Sequence, residues 1–159
     1  LYSTLSGSRD PTQLPSVLVG KLAPQNVLPP LRYQSFTDGA DIELAKFQGQ
    51  PLLVNFFASW CTPCRAEHHL FFEIKKQKPE LYILGFSHKD DPSDSKKYLE
   101  EEGNPYSFVG LDQDGKIAFE FGVFGLPETF IINNKGKIIF KHTGPLTREI
   151  IDNEISKLF

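Results

Sequence analysis

Pro51-Leu52-Leu53-Val54-Asn55-Phe56-Phe57-Ala58-Ser59-Trp60-Cys61-Thr62-Pro63-Cys64 is the stretch on which the reading of this chain turns. Its first eight residues are almost continuously apolar and of strand length, the pattern of a strand buried on both faces. From Thr62 the period changes, with Ala66, Leu70 and Ile74 spaced for one face of a helix. A Cys-x-x-Cys at such a junction sets the first sulfur at the positive end of a helix, where a thiolate is stabilised. The second thiol then lies one turn away. That geometry suits a dithiol that opens and closes.

Other uses of the pair have less support. A structural disulfide closing four residues is worth about 2 kcal/mol in the chain-entropy treatment, little for a chain able to build its own core. The chain has only 2 Cys, so no second pair completes a structural zinc site. Covalent haem attachment needs His after the second Cys, and Arg65 stands there. Metal binding remains the open alternative, through Cys61, Cys64 and His68, which is four residues beyond Cys64. No peroxidase-type Pro-x-x-x-Thr-x-x-Cys precedes Cys61.

Outward from the motif, 159 residues fit one domain, and 40% hydrophobic content with 14 Phe excludes a disordered chain. A net charge of −3 without a basic stripe argues against nucleic acid. No apolar run reaches the roughly 18 to 20 residues of a bilayer span. Ser and Pro crowd residues 1 to 30, so residues 1–20 read as an arm or linker and 21–159 as the domain. The chain holds no Met and starts at Leu1, as a processed or trimmed product would.

Phe36-Thr37-Asp38-Gly39 suggests a turn between short strands, and Ile42 to Phe47 reads as a strand or a single helical turn. Leu81 to Ser87 is strand-like; a helix follows, capped by Ser93 or Asp94 and ended by Gly103. Phe108-Val109 marks another strand, and Asp114-Gly115 opens a short helical piece to Phe121. Thr129 to Ile132 and Lys137 to Phe140 flank Asn133-Asn134-Lys135-Gly136, a hairpin signal. Thr147 caps a last helix with Ile151, Ile155 and Leu158 on one face. Strands and helices in this order specify an α/β sheet covered on both faces.

Three stretches now carry a family resemblance: Trp-Cys-Thr-Pro-Cys-Arg-Ala-Glu-His (60 to 68), Gly-Asn-Pro-Tyr (103 to 106) and Gly-Val-Phe-Gly-Leu-Pro-Glu-Thr-Phe (122 to 130). With Gly-Lys-Leu-Ala-Pro (20 to 24), they resemble the cytochrome c maturation thioredoxins of the CcmG/DsbE (CycY) family. The likeness runs from about Val19 to Phe159. It implies a thioredoxin fold: a mixed central sheet with helices on both faces, an N-terminal extension and a central insert.

The resemblance also implies a thiol:disulfide oxidoreductase of the periplasm, tethered to the inner membrane by an anchor ahead of the arm. Its targets would be disulfides of apocytochrome c or of a maturation thiol protein. Electrons would come from a membrane thiol transporter of the DsbD/CcdA kind. A monomer is expected, with no cofactor besides the Cys61–Cys64 pair and no metal. Two rivals stand beside this reading: a broader periplasmic reductase of the TlpA or ResA kind, and a non-catalytic copper carrier of the Sco type. Sco proteins usually have a wider Cys spacing and a distant His.

Cys61 is the candidate nucleophile and Cys64 the resolving thiol. No charged residue lies between them, which favours a reductant over an oxidant. Glu67 shares a helical face with Cys64 and reads either as a solvated acid or as a proton partner for the dithiol. Glu128, after Pro127, carries the same two readings. Asn55 stands where thioredoxins resemble one another in a buried Asp, so any buried carboxylate must come from Glu67 or Glu128. The resemblance makes Pro127 a cis proline facing the sulfurs, with the Leu126 backbone free to pair with an extended substrate. Trp60 and Phe124 would rim that groove, Phe124 having core packing as its alternative. His69, His88 and His142 read as surface or packing residues, and Arg65 as solvated or as a support for the Cys61 thiolate.

Overall fold

The structure, a computed structural model, describes residues 32–159. The arm expected over residues 1–20 and the Gly-Lys-Leu-Ala-Pro segment lie outside the described residues. Strand β3 (Leu52–Phe57) is buried at every position and lies inside the sheet, which among the described residues has seven strands in the order β2-β1-β5-β4-β3-β6-β7. Its neighbours are β4 (Tyr82–His88), parallel, and β6 (Glu128–Ile132), antiparallel. Beyond β4 come β5 (Phe108–Asp112), parallel to it, then β1 (Arg32–Ser35) and β2 (Asp41–Glu43), each antiparallel to its neighbour. Strand β7 (Ile138–Thr143) closes the other edge against β6.

Side chains along β3 alternate between two cores. Leu53 and Phe57 join Phe71, Ile74, Tyr98, Leu146 and Ile151 on the face covered by α1 (Thr62–Gln77), α2 (Pro92–Glu102) and α4 (Arg148–Ile150). Leu52, Val54 and Phe56 pack on the opposite face with Ile117, Ala118 and Phe121, brought by α3 (Lys116–Glu120) and the residue after it. The sheet is therefore mixed and covered on both sides, a thioredoxin fold, with α2 and β5 inserted between β4 and α3. Asn55, between Leu53 and Phe57, must point to the α1 face by the two-residue period of a strand. Among the described residues, no helix is long and apolar enough to cross a membrane.

Local chemistry explains most boundaries, and some differ from the sequence expectation. Helix α2 is capped by Asp91, whose carboxylate accepts the Ser93 amide, so Pro92 occupies the first turn and neither Ser93 nor Asp94 is the cap. Residues 42–47 divide between the two forms considered, since β2 runs straight into a 3₁₀ turn at Leu44–Phe47. Thr147 caps α4 by accepting the Ile150 amide, and the helix widens into a π turn over Ile151–Ile155. In the β6–β7 turn the Asn133 side-chain Oδ1 accepts the amides of Lys135 and Lys137. On α1, Ala66 faces solvent while Glu67 and His68 are buried. An apolar period anchored on Ala66 therefore misplaces part of the buried face.

Candidate active site

Cys61 and Cys64 are joined by a disulfide at the start of α1, their Cα atoms 5.3 Å apart. Cys61 is the helix N-cap, extended at φ −93° and ψ 106°, and its sulfur accepts the Cys64 amide at 3.3 Å. A sulfur in that place receives both an amide hydrogen and the positive end of a 16-residue helix dipole. Pro63 lies in the first turn, where its missing N–H costs no intrahelical bond. Both residues are largely buried, Cys61 at 4% exposure and Cys64 at 2%.

The loop leading to Cys61 is clamped. Buried Asp90 accepts the Ser59 amide and the Ser59 hydroxyl, each at 2.8 Å, and also the Ser95 hydroxyl. The Ser59 carbonyl accepts two bonds from Arg65, whose guanidinium lies 4.5 Å over the Tyr98 ring. Arg65 thus holds backbone as well as meeting solvent. Trp60 is mostly exposed and donates its indole N–H to the Lys89 carbonyl. Ser59 and Trp60, the two residues before Cys61, are thus fixed by the β4–α2 loop, and Ser59 also by the first turn of the helix it precedes. Asp90 lies in a polar loop whose sequence carries no signal of this role.

Below the disulfide, one turn along α1, Glu67 is 1% exposed, so the solvated-acid reading fails for it. Its Oε1 accepts the Asn55 amide N–H at 3.1 Å and its Oε2 the Leu146 backbone N–H at 2.6 Å. Burial pushes this carboxyl from its ordinary 4.5 up to about 7, against the opposing pull of those two bonds. Asn55 also donates toward the Glu128 carbonyl and the Thr129 hydroxyl, while its own oxygen accepts the Tyr106 phenol at 2.8 Å. The residue that departs from the thioredoxin pattern is thus the hub of a buried polar network.

Glu128 is buried too and sits beyond Asn55, at the start of β6. Its Oε1 accepts the Thr143 hydroxyl at 3.0 Å and lies 3.9 Å from the Lys141 ammonium, whereas Oε2 is buried without a hydrogen-bond partner. Burial raises this carboxyl, and Lys141 and Thr143 act in the opposite direction. The Leu126–Pro127 peptide is cis. Leu126 is half-buried between the two cores, and Phe124 stands 93% exposed, so core packing does not explain it.

His68, the third member of the possible metal site, turns its Nε2 to the Gly103 carbonyl at 2.8 Å. Among the described residues no group of three or more His, Cys, Asp or Glu side chains could hold a metal ion. His88 pairs with buried Asp112, which also accepts the amides of Ile117 and Ala118 in α3, and His69 is exposed.

A helix-tip dithiol on this sheet, with a cis proline in the loop ahead of β6 and an acid beneath the second sulfur, defines a redox protein of the thioredoxin class. The sequence profile of the Redoxin family matches residues 18–158. The thiol:disulfide interchange protein HelX of Rhodobacter capsulatus is 41% identical over 150 residues, covering 94% of this chain and 81% of HelX. DsbE of Escherichia coli, also a thiol:disulfide interchange protein, is 37% identical over 150 residues, covering 94% and 78%. The chain belongs to the Redoxin family and, within it, to the DsbE/HelX thiol:disulfide interchange proteins.

Solved structures agree on the fold. A secreted disulfide oxidoreductase of Mycobacterium tuberculosis, homologous to Escherichia coli DsbE, superposes with a TM-score of 0.71 at 18% identity, over 80% of this chain and 96% of that one. The thioredoxin domain of a thiol-disulfide oxidoreductase from Bacteroides vulgatus gives 0.73 at 23% identity, over 90% and 99%.

Proposed function

We propose that this protein is a reductant in cytochrome c maturation, working on the periplasmic side of the inner membrane. Its targets are disulfides of apocytochrome c or of a maturation thiol protein. A membrane thiol transporter of the DsbD/CcdA kind returns it to the dithiol form. Kinship with DsbE and HelX supports the placement, and the geometry around Cys64 supports the direction of electron flow.

In the reduced protein, the Cys61 thiolate attacks one sulfur of the target disulfide. The target S–S bond breaks, a mixed disulfide forms on Cys61, and the second target sulfur leaves as a thiolate. Cys64 then gives its proton to the Glu67 carboxylate and attacks Cys61, so the target departs as a dithiol once protonated. Two electrons pass to the target and the Cys61–Cys64 bond closes. An oxidant needs a strongly stabilised Cys61 thiolate. Here only Thr62 and Pro63 lie between the sulfurs, and the acid one turn below opposes negative charge on them.

The buried Glu67 beneath Cys64 is the observation that carries this reading. The test is a Cys64→Ser variant, which holds targets as mixed disulfides on Cys61. Recovery of apocytochrome c or a maturation thiol protein is the expected result. Recovery of only unrelated envelope proteins would overturn the cytochrome assignment and favour a broader reductase.

A further inference from the structure

We infer that Tyr106 is a positioning residue for the dithiol reaction: its phenol fixes the Asn55 amide so that the NH₂ end, not the carbonyl, faces Glu67. The inference rests on the proposed role of Glu67 as proton acceptor for Cys64.

The Gly103-Asn104-Pro105-Tyr106 stretch is built to deliver this phenol. Asn104 turns the chain by accepting the Tyr106 amide on its side-chain oxygen at 2.9 Å. Ser107 then locks to β4, donating its amide to the Ile83 carbonyl and accepting the Ile83 amide on its hydroxyl. The Tyr106 ring stacks on Phe57, centroids 5.0 Å apart, and lies over Gly85, where a Cβ would meet three ring carbons at 2.8 Å. A side chain at residue 85 would displace the ring, so glycine is needed for this close approach. Seated there, the O–H has a buried acceptor in Asn55 Oδ1 at 2.8 Å.

The orientation matters because an amide has two unlike ends. With its oxygen held by Tyr106, Asn55 presents N–H to Glu67 Oε1, a contact that favours the carboxylate. Turned over, it would present a carbonyl, which tolerates only the protonated acid. Leu146 supplies the second N–H and has no such freedom, being backbone. The ionisable groups around Glu67 are Cys64 on its own helix, Tyr98 from α2, Tyr106 from the loop before β5, and Glu128 across Asn55. Burial holds both phenols neutral, so neither adds charge near neutral pH.

The experiment uses Tyr106→Phe, which keeps the ring and removes only the hydroxyl. Carboxyl NMR of the oxidised protein follows Glu67, and the pH profile of disulfide reduction follows the reaction. The Glu67 midpoint should rise by roughly half a pH unit to one unit, the scale of one buried hydrogen bond. Reduction below the midpoint should slow by roughly threefold to tenfold, as the ionised fraction falls. In a Glu67→Gln background, Tyr106→Phe should leave the pH profile where it is, which a purely structural role would not require. An unchanged or lowered Glu67 midpoint overturns the inference. A raised midpoint with an unmoved reaction profile overturns it differently, by showing that Glu67 is not the proton acceptor.

Discussion

Replacing Glu67 with Gln keeps the side chain's shape and removes its ionisation, which isolates the energetic consequence of burying an acid under the dithiol. In the folded protein the carboxyl is pushed from 4.5 to about 7 by burial. Between these values the native state keeps a proton that the unfolded chain has released. Stability therefore falls as pH rises through this window, and is level below and above it. At 1.36 kcal/mol per pH unit, the full effect is on the order of 3 kcal/mol. Gln carries a separate penalty, because both contacts of Glu67 are with N–H donors and one of them must meet the Gln NH₂ group. That penalty does not vary with pH.

The quantity to compare is thus the stability difference between wild type and Glu67→Gln, from urea unfolding of the oxidised proteins. From about pH 4 to about pH 8, wild type should lose roughly 3 kcal/mol relative to the variant. Glu128 and the other titrating groups cancel in the difference, and the disulfide keeps the thiols out of it. A difference that stays constant across this range, or a wild type that gains on the variant as pH rises, would refute the raised acid.

Two further perturbations address the walls of the site. Asp90→Ala removes the acceptor of the half-buried Ser59 amide and hydroxyl and of the buried Ser95 hydroxyl, which keeps only its bond with Ser87, and should cost about 1 to 3 kcal/mol in urea unfolding. A cost near zero would mean that the clamp on the Cys61 loop is not needed for stability. Phe124→Ala should change stability by less than about 0.5 kcal/mol, since the ring is 93% exposed. It should raise KM for protein disulfides if the ring rims the substrate groove, and an unchanged KM removes Phe124 from it.

Much of this protein is legible in its sequence. The apolar run 51–58 followed by a helical period located β3 and α1, because a doubly buried strand and a capped helix leave unlike patterns. Thr147 and the Asn133-Asn134-Lys135-Gly136 turn were readable because their chemistry is local. The buried polar network was not. Glu67 and His68 look like ordinary helical polar residues, and only the packing of α2 and the β7–α4 loop over α1 makes that face an interior one. Asn55 was conspicuous as an amide in an apolar strand, yet its partners Tyr106 and Glu67 lie 51 and 12 residues away. The cap of α2 went to Asp91 because Pro92 is best placed in the first turn, a preference that outweighed Ser93 and Asp94.

The proposed mechanism depends on Cys61 being the sulfur that attacks and Cys64 the one that resolves. Alkylation of the freshly reduced protein with substoichiometric iodoacetamide, followed by mass spectrometry of the two modified forms, tests it most directly. Cys61 should be the sulfur modified, with Cys64 protected beneath it and above the buried acid. Preferential modification of Cys64, or a dithiol inert at both sulfurs, would contradict it.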